Sequence, residues 1–391
     1  MSGPLDGYRV IELAGIGPCP FAGMVLSDLG ADVLRVERSG AVPSEPPGSS
    51  SLDLLQRGKR SVGVDLKARE GVDLVLSLVA AADAVIEGFR PGVTERLGIG
   101  PADCLAQNRK LVYGRMTGWG QDGPLSLRAG HDIDYISIAG VLEGLGRSGE
   151  APVPPWNLVG DFGGGGMLLA LGVLAALVST SRTGEGQVVD AAMVDGAALL
   201  STMMWSFRAM GIWRDERGTN LLDTGAPYYE VYECADGRYV AVGALEPQFY
   251  EALLAVAGLS AEDLPPQSDR ARWPEAKQAW AEVFLRRTRD EWAALAEGTD
   301  ACLAPVLSMP EAAGHPHNVS RGTFVSIDGV EQPGAAPRFS RTPAGIGRPP
   351  CWPGEGGGEA LSEWGIDMAL VTALEERGVV KTLAARGSTG D

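Results

Sequence analysis

The sequence predicts an α/β protein with a parallel sheet, built from two domains of which one can interrupt the other. Three observations carry this. The chain has 391 residues, more than one ordinary hydrophobic core organises. Hydrophobic residues make up 45% of it and charged residues 21%, the balance of a soluble globular fold rather than a disordered or fibrous one. The first third alternates apolar strand-like runs with amphipathic segments, the βαβ rhythm that lays helices over a parallel sheet.

Taken in order, residues 8–13 (YRVIEL) read as the first strand and 21–28 as a helix. A strand at 32–36, a helix at 71–81 and strands at 84–86 and 110–116 follow. Ligands of such a sheet belong at the carboxyl ends of its strands. Residues 40–50 (GAVPSEPPGSS) and 345–358 (GIGRPPCWPGEGGG) are expected to be exposed loops. The apolar run 167–178 is shorter than a bilayer span and reads as a buried helix. Residues 193–210 read as helical, 228–245 as β-like, and 247–257 and 276–287 as short helices of a smaller mixed domain. A last helix, 366–377, has Gly378 placed to end it.

The net charge of −17 argues against nucleic acid as a partner, because its phosphates would be repelled over most of the surface. Residues 1–130 carry only −1 and the remainder −16, so an anionic small ligand is expected on the N-terminal part. The five cysteines are scattered and form no CxxC pair, which argues for free thiols and against a disulfide framework or structural zinc. The first residues lack a basic start and an unbroken apolar run, so a cytoplasmic protein without a membrane partner is expected.

Gly15 and Gly17 follow the first strand and Glu37 ends the second, an incomplete dinucleotide fingerprint. Pro20 stands where the third glycine belongs, and Pro18 and Pro20 remove N–H donors that would hold a pyrophosphate. Arg35, Arg38, Arg57, Lys59, Arg60, Arg90 and Arg96 lie near strand ends and loops. They suit the phosphates of a ligand such as coenzyme A, and solvated surface charge accounts for them equally well. LLDTGA at 221–226 has the short aspartic-protease pattern, but its α/β surroundings make it a coincidental turn. His315 and His317 lack a third metal ligand at sensible spacing and read as a surface loop. His131, in RAGHDIDY, has carboxylates close by that could orient its ring, so a structural and a catalytic histidine both remain open. Asp161 heads a run with four glycines. It reads as a helix N-cap or as a functional carboxylate beside N–H groups able to stabilise an oxyanion.

Longer stretches carry a more specific signal. GYRVIELAGIGP near the start, DLGADVLRVER at 28–38, RGKRSVGVDLK at 57–67, AVIEGFRPGVTERLGIG at 84–100, GHDIDYISIAGVL at 130–142, NLVGDFGGGG at 157–166, GQVVDAAMVDG at 186–196, GAPYYEVYECADGRYVAVGALEPQFY at 225–250 and PRFSRTPAG at 337–345 together resemble the family III CoA transferases. Within that group they are most similar to the α-methylacyl-CoA racemase branch.

The resemblance implies a Rossmann-like large domain, an inserted smaller α+β domain, and an interlocked homodimer with its site where one subunit's large domain meets its partner's small domain. The large domain would comprise 1–191 and 336–391, the small domain 231–314, with linkers at 192–230 and 315–335. His131 and Asp161 would be the two proton-transferring residues, with Glu246 near them and Asp132, Tyr135 and Asn157 in support. Ile16, Arg38, Arg60 and Arg90 would contact CoA. The implied reaction interconverts the two epimers of a 2-methyl-branched acyl-CoA through an enolate, a step of branched-chain lipid metabolism. It needs no metal or other cofactor, CoA being part of the substrate. The alternative is CoA transfer between carboxylic acids with Asp161 as nucleophile; those enzymes generally lack a histidine at position 131. Two departures stand out: Thr224 replaces a usual glycine, where it could narrow the space for the acyl chain, and Asp134 replaces an asparagine, where an added carboxylate could act on the His131 ring; the sequence derives neither outcome.

Overall fold

The computed structural model describes residues 3–45 and 47–385. Six parallel strands are laid down first: β1 (Arg9–Leu13), β2 (Asp32–Arg38), β3 (Arg60–Val64), β4 (Ala84–Glu87), β5 (Val112–Thr117) and β6 (Gln187–Ala192). Strands β7 (Tyr229–Glu233), β8 (Tyr239–Gly243) and β9 (Leu303–Pro305) form an antiparallel sheet, and β10 (Phe324–Ile327) with β11 (Val330–Pro333) a hairpin. A two-residue β12 (Val380–Lys381) pairs antiparallel with β3. The large sheet runs β12-β3-β2-β1-β4-β5-β6. Strand order therefore reverses between β1 and β4, and such a switch point opens a crevice at the carboxyl ends.

Period-two alternation divides the core. Ile11 and Leu13 join Leu34, Val36, Val62 and Val64 in one cluster, which takes in Trp364, Val371 and Leu374 from the chain's end. Val10, Val33, Ile86 and Val112 join the other, with Leu26 and Val173. Each such fully buried side chain contributes about 1.5–3 kcal/mol. The final helix, Met368–Glu376, is started by the Asp367 carboxylate and followed by Gly378 at φ 70°, as its sequence foretold.

The chain divides into two compact units: Met1–Ala139, Trp156–Leu200 and His317–Asp391 form the first, and Gly140–Pro155 with Ser201–Pro316 the second. The second has its own aromatic core of Tyr228, Tyr232, Tyr250, Trp273, Trp280, Phe284 and Trp292. These divisions differ from the expected ones. The expected linker 192–230 is split between the two units, 192–200 in the first and 201–230 in the second, and its expected helical part is present as Met193–Leu200 and Thr202–Ala209. The segment 140–155 belongs to the second unit because Arg217 donates to the Glu143 carbonyl and Arg147 pairs with Glu230. The expected linker 315–335 holds a helix, Pro316–Arg321, and the β10–β11 hairpin; His317 lies on that helix rather than in a loop.

Two further expectations are corrected. The loop 40–50 is largely exposed, Pro46 lying outside the described residues, but 345–358 is buried from Pro350 to Gly357 except for Trp352 and Pro353. Its Glu355 carbonyl accepts from Ser61 at the edge of the sheet. The helix expected at 167–178 is part of a continuous helical stretch, Leu158–Thr183, whose 26 residues are long and apolar enough to span a bilayer. In this fold Leu169, Ala170, Val173, Ala176 and Leu177 are its buried side chains, and it packs on β5 and β6.

Candidate active site

The site is built at the carboxyl edge around the β1/β4 switch point. Loop 14–17 leaves β1, Arg38 ends β2, and Gly88, Phe89 and Arg90 follow β4. Ile16, Arg38 and Arg90 are all exposed there, with Ile16 at 86%. Arg96 is exposed as well.

Asp161 is not an N-cap. It is the fourth residue of a π-helix, Leu158–Met167, that Asn157 caps and that continues as helix Leu168–Thr183. Trp156, at φ 54°, turns the chain into it. The glycines explain the geometry. A Cβ on Gly196 would lie 1.9 Å from the Gly164 carbonyl oxygen, and one on Gly166 would lie 2.6 Å from that of Pro18. Helices Met193–Leu200 and Pro18–Asp28 therefore meet the π-helix backbone to backbone, so the close access that the glycine run foretold belongs to neighbouring helices. This docking brings Gly17 beside Asp161: a Cβ there would stand 3.5 Å from Asp161 Oδ2.

His131 caps helix Asp132–Ile138 from an extended conformation and is exposed. Its backbone N–H donates to the Asp134 carboxylate at 2.9 Å, so Asp134 caps a helix instead of holding the imidazole. The next residue ties the two halves of the site together. Asp132 is buried, and its Oδ1 accepts the Asp161 backbone N–H at 2.7 Å. The Phe162 N–H donates to the Asn157 carbonyl at 3.3 Å. These two N–H groups already have acceptors, which corrects their expected use by an oxyanion. Asn157 Nδ2 donates to Asp161 Oδ2 at 3.1 Å.

Burial pushes the Asp161 carboxyl up; the Asn157 hydrogen bond opposes that, the Asp132 charge adds to it and His131 lowers it. Tyr135 is buried, donates to the Gly130 carbonyl and meets Trp119 edge-on at 4.8 Å. Its hydroxyl is pushed up to about 12, by burial first and then by Asp161 and Asp134, with Arg90 opposing. Tyr135 thus stays a neutral phenol that braces the helix behind His131.

Of the predicted residues, His131, Asp132, Tyr135, Asn157 and Asp161 come together, and Ile16, Arg38 and Arg90 share their sheet edge. Arg60 does not. It is buried at the amino end of β3, paired with Asp32 and Glu363 at 2.6 Å each. Arg35, Arg57 and Lys59 are also buried in ion pairs, with Glu12, Asp28 and Glu12 respectively, so their charges are spent inside the fold. Glu246 lies in the second unit, exposed at the start of helix Pro247–Ala257. In the same unit, Asp223 of the LLDTGA turn accepts the backbone N–H groups of Gly218, Asn220 and Gly225. Thr224 beside it holds φ 72° with a buried, unpartnered hydroxyl, a left-handed conformation costing about 1–2 kcal/mol.

A family profile described as CoA-transferase family III matches residues 5–357. The chain is 47% identical over 382 residues to a Mus musculus protein named alpha-methylacyl-CoA racemase, covering 97% of this chain and 98% of that one. It is 42% identical to the Homo sapiens protein of the same name, over 98% of this chain and 99% of that one. A crystal structure of a CAIB/BAIF family protein from Brucella suis superposes with a TM-score of 0.78 at 28% identity, covering 93% of this chain and all of the other.

Proposed function

The chain belongs to CoA-transferase family III, and from that premise we propose that it is a racemase of 2-methyl-branched acyl-CoA thioesters. One observation carries the reading: the buried Asp132 carboxylate joins His131's helix to the Asp161 backbone, holding an imidazole and a carboxylate at one sheet edge. Inversion at a carbon needs two such groups on opposite faces. One takes the α-proton as the C–H electron pair moves into the enolate, and the other returns a proton from the far side. His131 neutral with Asp161 protonated serves one direction. His131 protonated with Asp161 ionised serves the other. The pair therefore works with one shared proton, and the chemistry needs no metal or redox group.

CoA fits the exposed Arg38, Arg90 and Ile16 around the crevice, where guanidinium groups meet phosphates. The amino end of helix Pro18–Asp28, which no side chain caps, adds positive potential beside Gly17. The assembly is a homodimer in this reading. Each unit exposes large apolar side chains, Leu171 and Val178 in the first and Trp205, Met210 and Ile212 in the second, of the kind that interfaces cover. Glu246 then joins His131 and Asp161 from the partner's second unit.

The test is incubation with a single epimer of a 2-methylacyl-CoA in deuterium oxide. Deuterium at the α-carbon and mixing of epimers are expected; His131→Ala is expected to abolish the mixing, and to abolish deuterium uptake from the epimer that His131 deprotonates. An acyl or CoA adduct on Asp161 without α-exchange would instead establish CoA transfer.

A further inference from the structure

We infer that Arg35 and Lys59 are positioning residues that fix the segment from Gly15 to Pro20 against Asp161, and so govern proton transfer on the Asp161 face of the substrate. The inference rests on the racemase reading above.

Both cations are buried beneath the carboxyl edge around Glu12, whose side chain is fully buried. Glu12 in β1 stands in register with Arg35 in β2, so one carboxylate oxygen takes Arg35 and the other takes Lys59 Nζ at 2.6 Å. Arg35 Nε reaches Glu37 at 2.5 Å. Each cation has donors left and turns one of them on a backbone carbonyl, Lys59 Nζ also reaching Gln56 Oε1 at 3.4 Å. Arg35 Nη2 donates to Gly15 O at 3.2 Å, and Lys59 Nζ to Pro20 O at 2.8 Å. The segment is tethered near both ends.

Between the tethers lies the contact with the proton-transferring carboxylate. Gly17 adopts φ 68° and ψ −119° with its missing Cβ 3.5 Å from Asp161 Oδ2, and Pro18 abuts Gly165 and Gly166 of the π-helix. The fold gives up a side chain to house the cluster, for a Cβ on Gly23 would lie 2.0 Å from Glu12 Oε2 and 3.2 Å from Lys59 Nζ. Stability alone does not call for this, because apolar residues of similar volume stabilise a core as well as a buried ion cluster or better. What the charges add is directed bonds to two carbonyls. A slip of about 1 Å at a reacting group is enough to lower a rate by about a hundredfold.

The test compares initial α-proton wash-out into deuterium oxide from the two epimers separately. The epimer that Asp161 deprotonates is identified as the one whose wash-out Asp161→Asn abolishes. Arg35→Lys keeps a buried cation for Glu12 but loses the fork that reaches Gly15. It is expected to lower wash-out from the Asp161-face epimer by about tenfold or more and to leave that from the His131-face epimer within about twofold. Lys59→Met is expected to show the same asymmetry and Lys59→Arg to recover part of it. Arg57→Lys, a buried arginine tethering the Pro333 carbonyl elsewhere, is the control for general loosening and should move both epimers together. Thermal melting confirms that each variant is folded at the assay temperature. If Lys59→Met does not fold, Arg35→Lys decides. A parallel fall for both epimers in Arg35→Lys, or no fall, overturns the inference while leaving the racemase reading intact. Absence of wash-out in the unmodified enzyme removes both.

Discussion

Asp161 holds its charge against its surroundings, and that has a measurable sign. Burial first, and the Asp132 charge after it, raise its pKa, while the Asn157 hydrogen bond and His131 lower it. As a base it must be ionised, so wash-out from the epimer it serves is expected to fall as pH drops through a value above the ordinary carboxylate range of about 4. Stability runs the other way. A carboxyl whose folded pKa exceeds its unfolded one contributes fully below the unfolded value, and that contribution is lost as pH rises through the folded value. Asp132→Asn keeps an acceptor for the Asp161 N–H but removes the charge, and the acid limb of the pH–rate profile should move down. Asn157→Leu removes the opposing hydrogen bond, and the limb should move up. Two variants with unmoved limbs would show that Asp161 is not the group titrating.

At the scale of elements, the π-helix and its two partner helices are the least tolerant part of the site. Gly196→Ala drives a methyl into the Gly164 carbonyl and is expected to cost about 3 kcal/mol by overpacking, read as a lowered urea midpoint. Gly144→Ala, with open space around it, should change the midpoint little. The same elements show how far sequence reached. The strands near 8–13, 32–36, 84–86 and 110–116 were legible because buried parallel strands are nearly continuous apolar runs. Strand β3 was hidden, since RSVGV follows a loop and two cations whose burial no local pattern signals. Strand β6 was hidden as an edge strand with Gln187 and Asp190 exposed. The glycine run announced a close approach but not by what. Nothing in the spacing of His131 and Asp161 foretold that Asp132 would accept the Asp161 N–H, a tertiary contact over 29 positions; the pair was legible only through family resemblance. The surplus of arginines misled for the same reason: whether a cation meets a phosphate or a buried carboxylate is decided by packing that sequence does not display.

For the whole molecule, the proposed homodimer makes a prediction about which subunit completes each site. His131 and Asp161 belong to the first unit and Glu246 to the second. If the site joins one subunit's first unit to its partner's second, two inactive chains can repair each other. Let His131→Ala and Glu246→Ala subunits be co-expressed, each inactive alone. A shared site then gives every mixed dimer one intact combination, His131 from one chain with Glu246 from the other, and one doubly defective site. Random pairing makes about half of the dimers mixed, so about a quarter of full activity should return. Sites confined to single subunits would each keep one lesion, and activity would stay at the level of the separate variants. Co-expression is used because chains interlocked as proposed would exchange only by unfolding. Mixing the two purified homodimers should therefore restore nothing on the assay timescale, and recovery on mixing would show a dimer that dissociates freely.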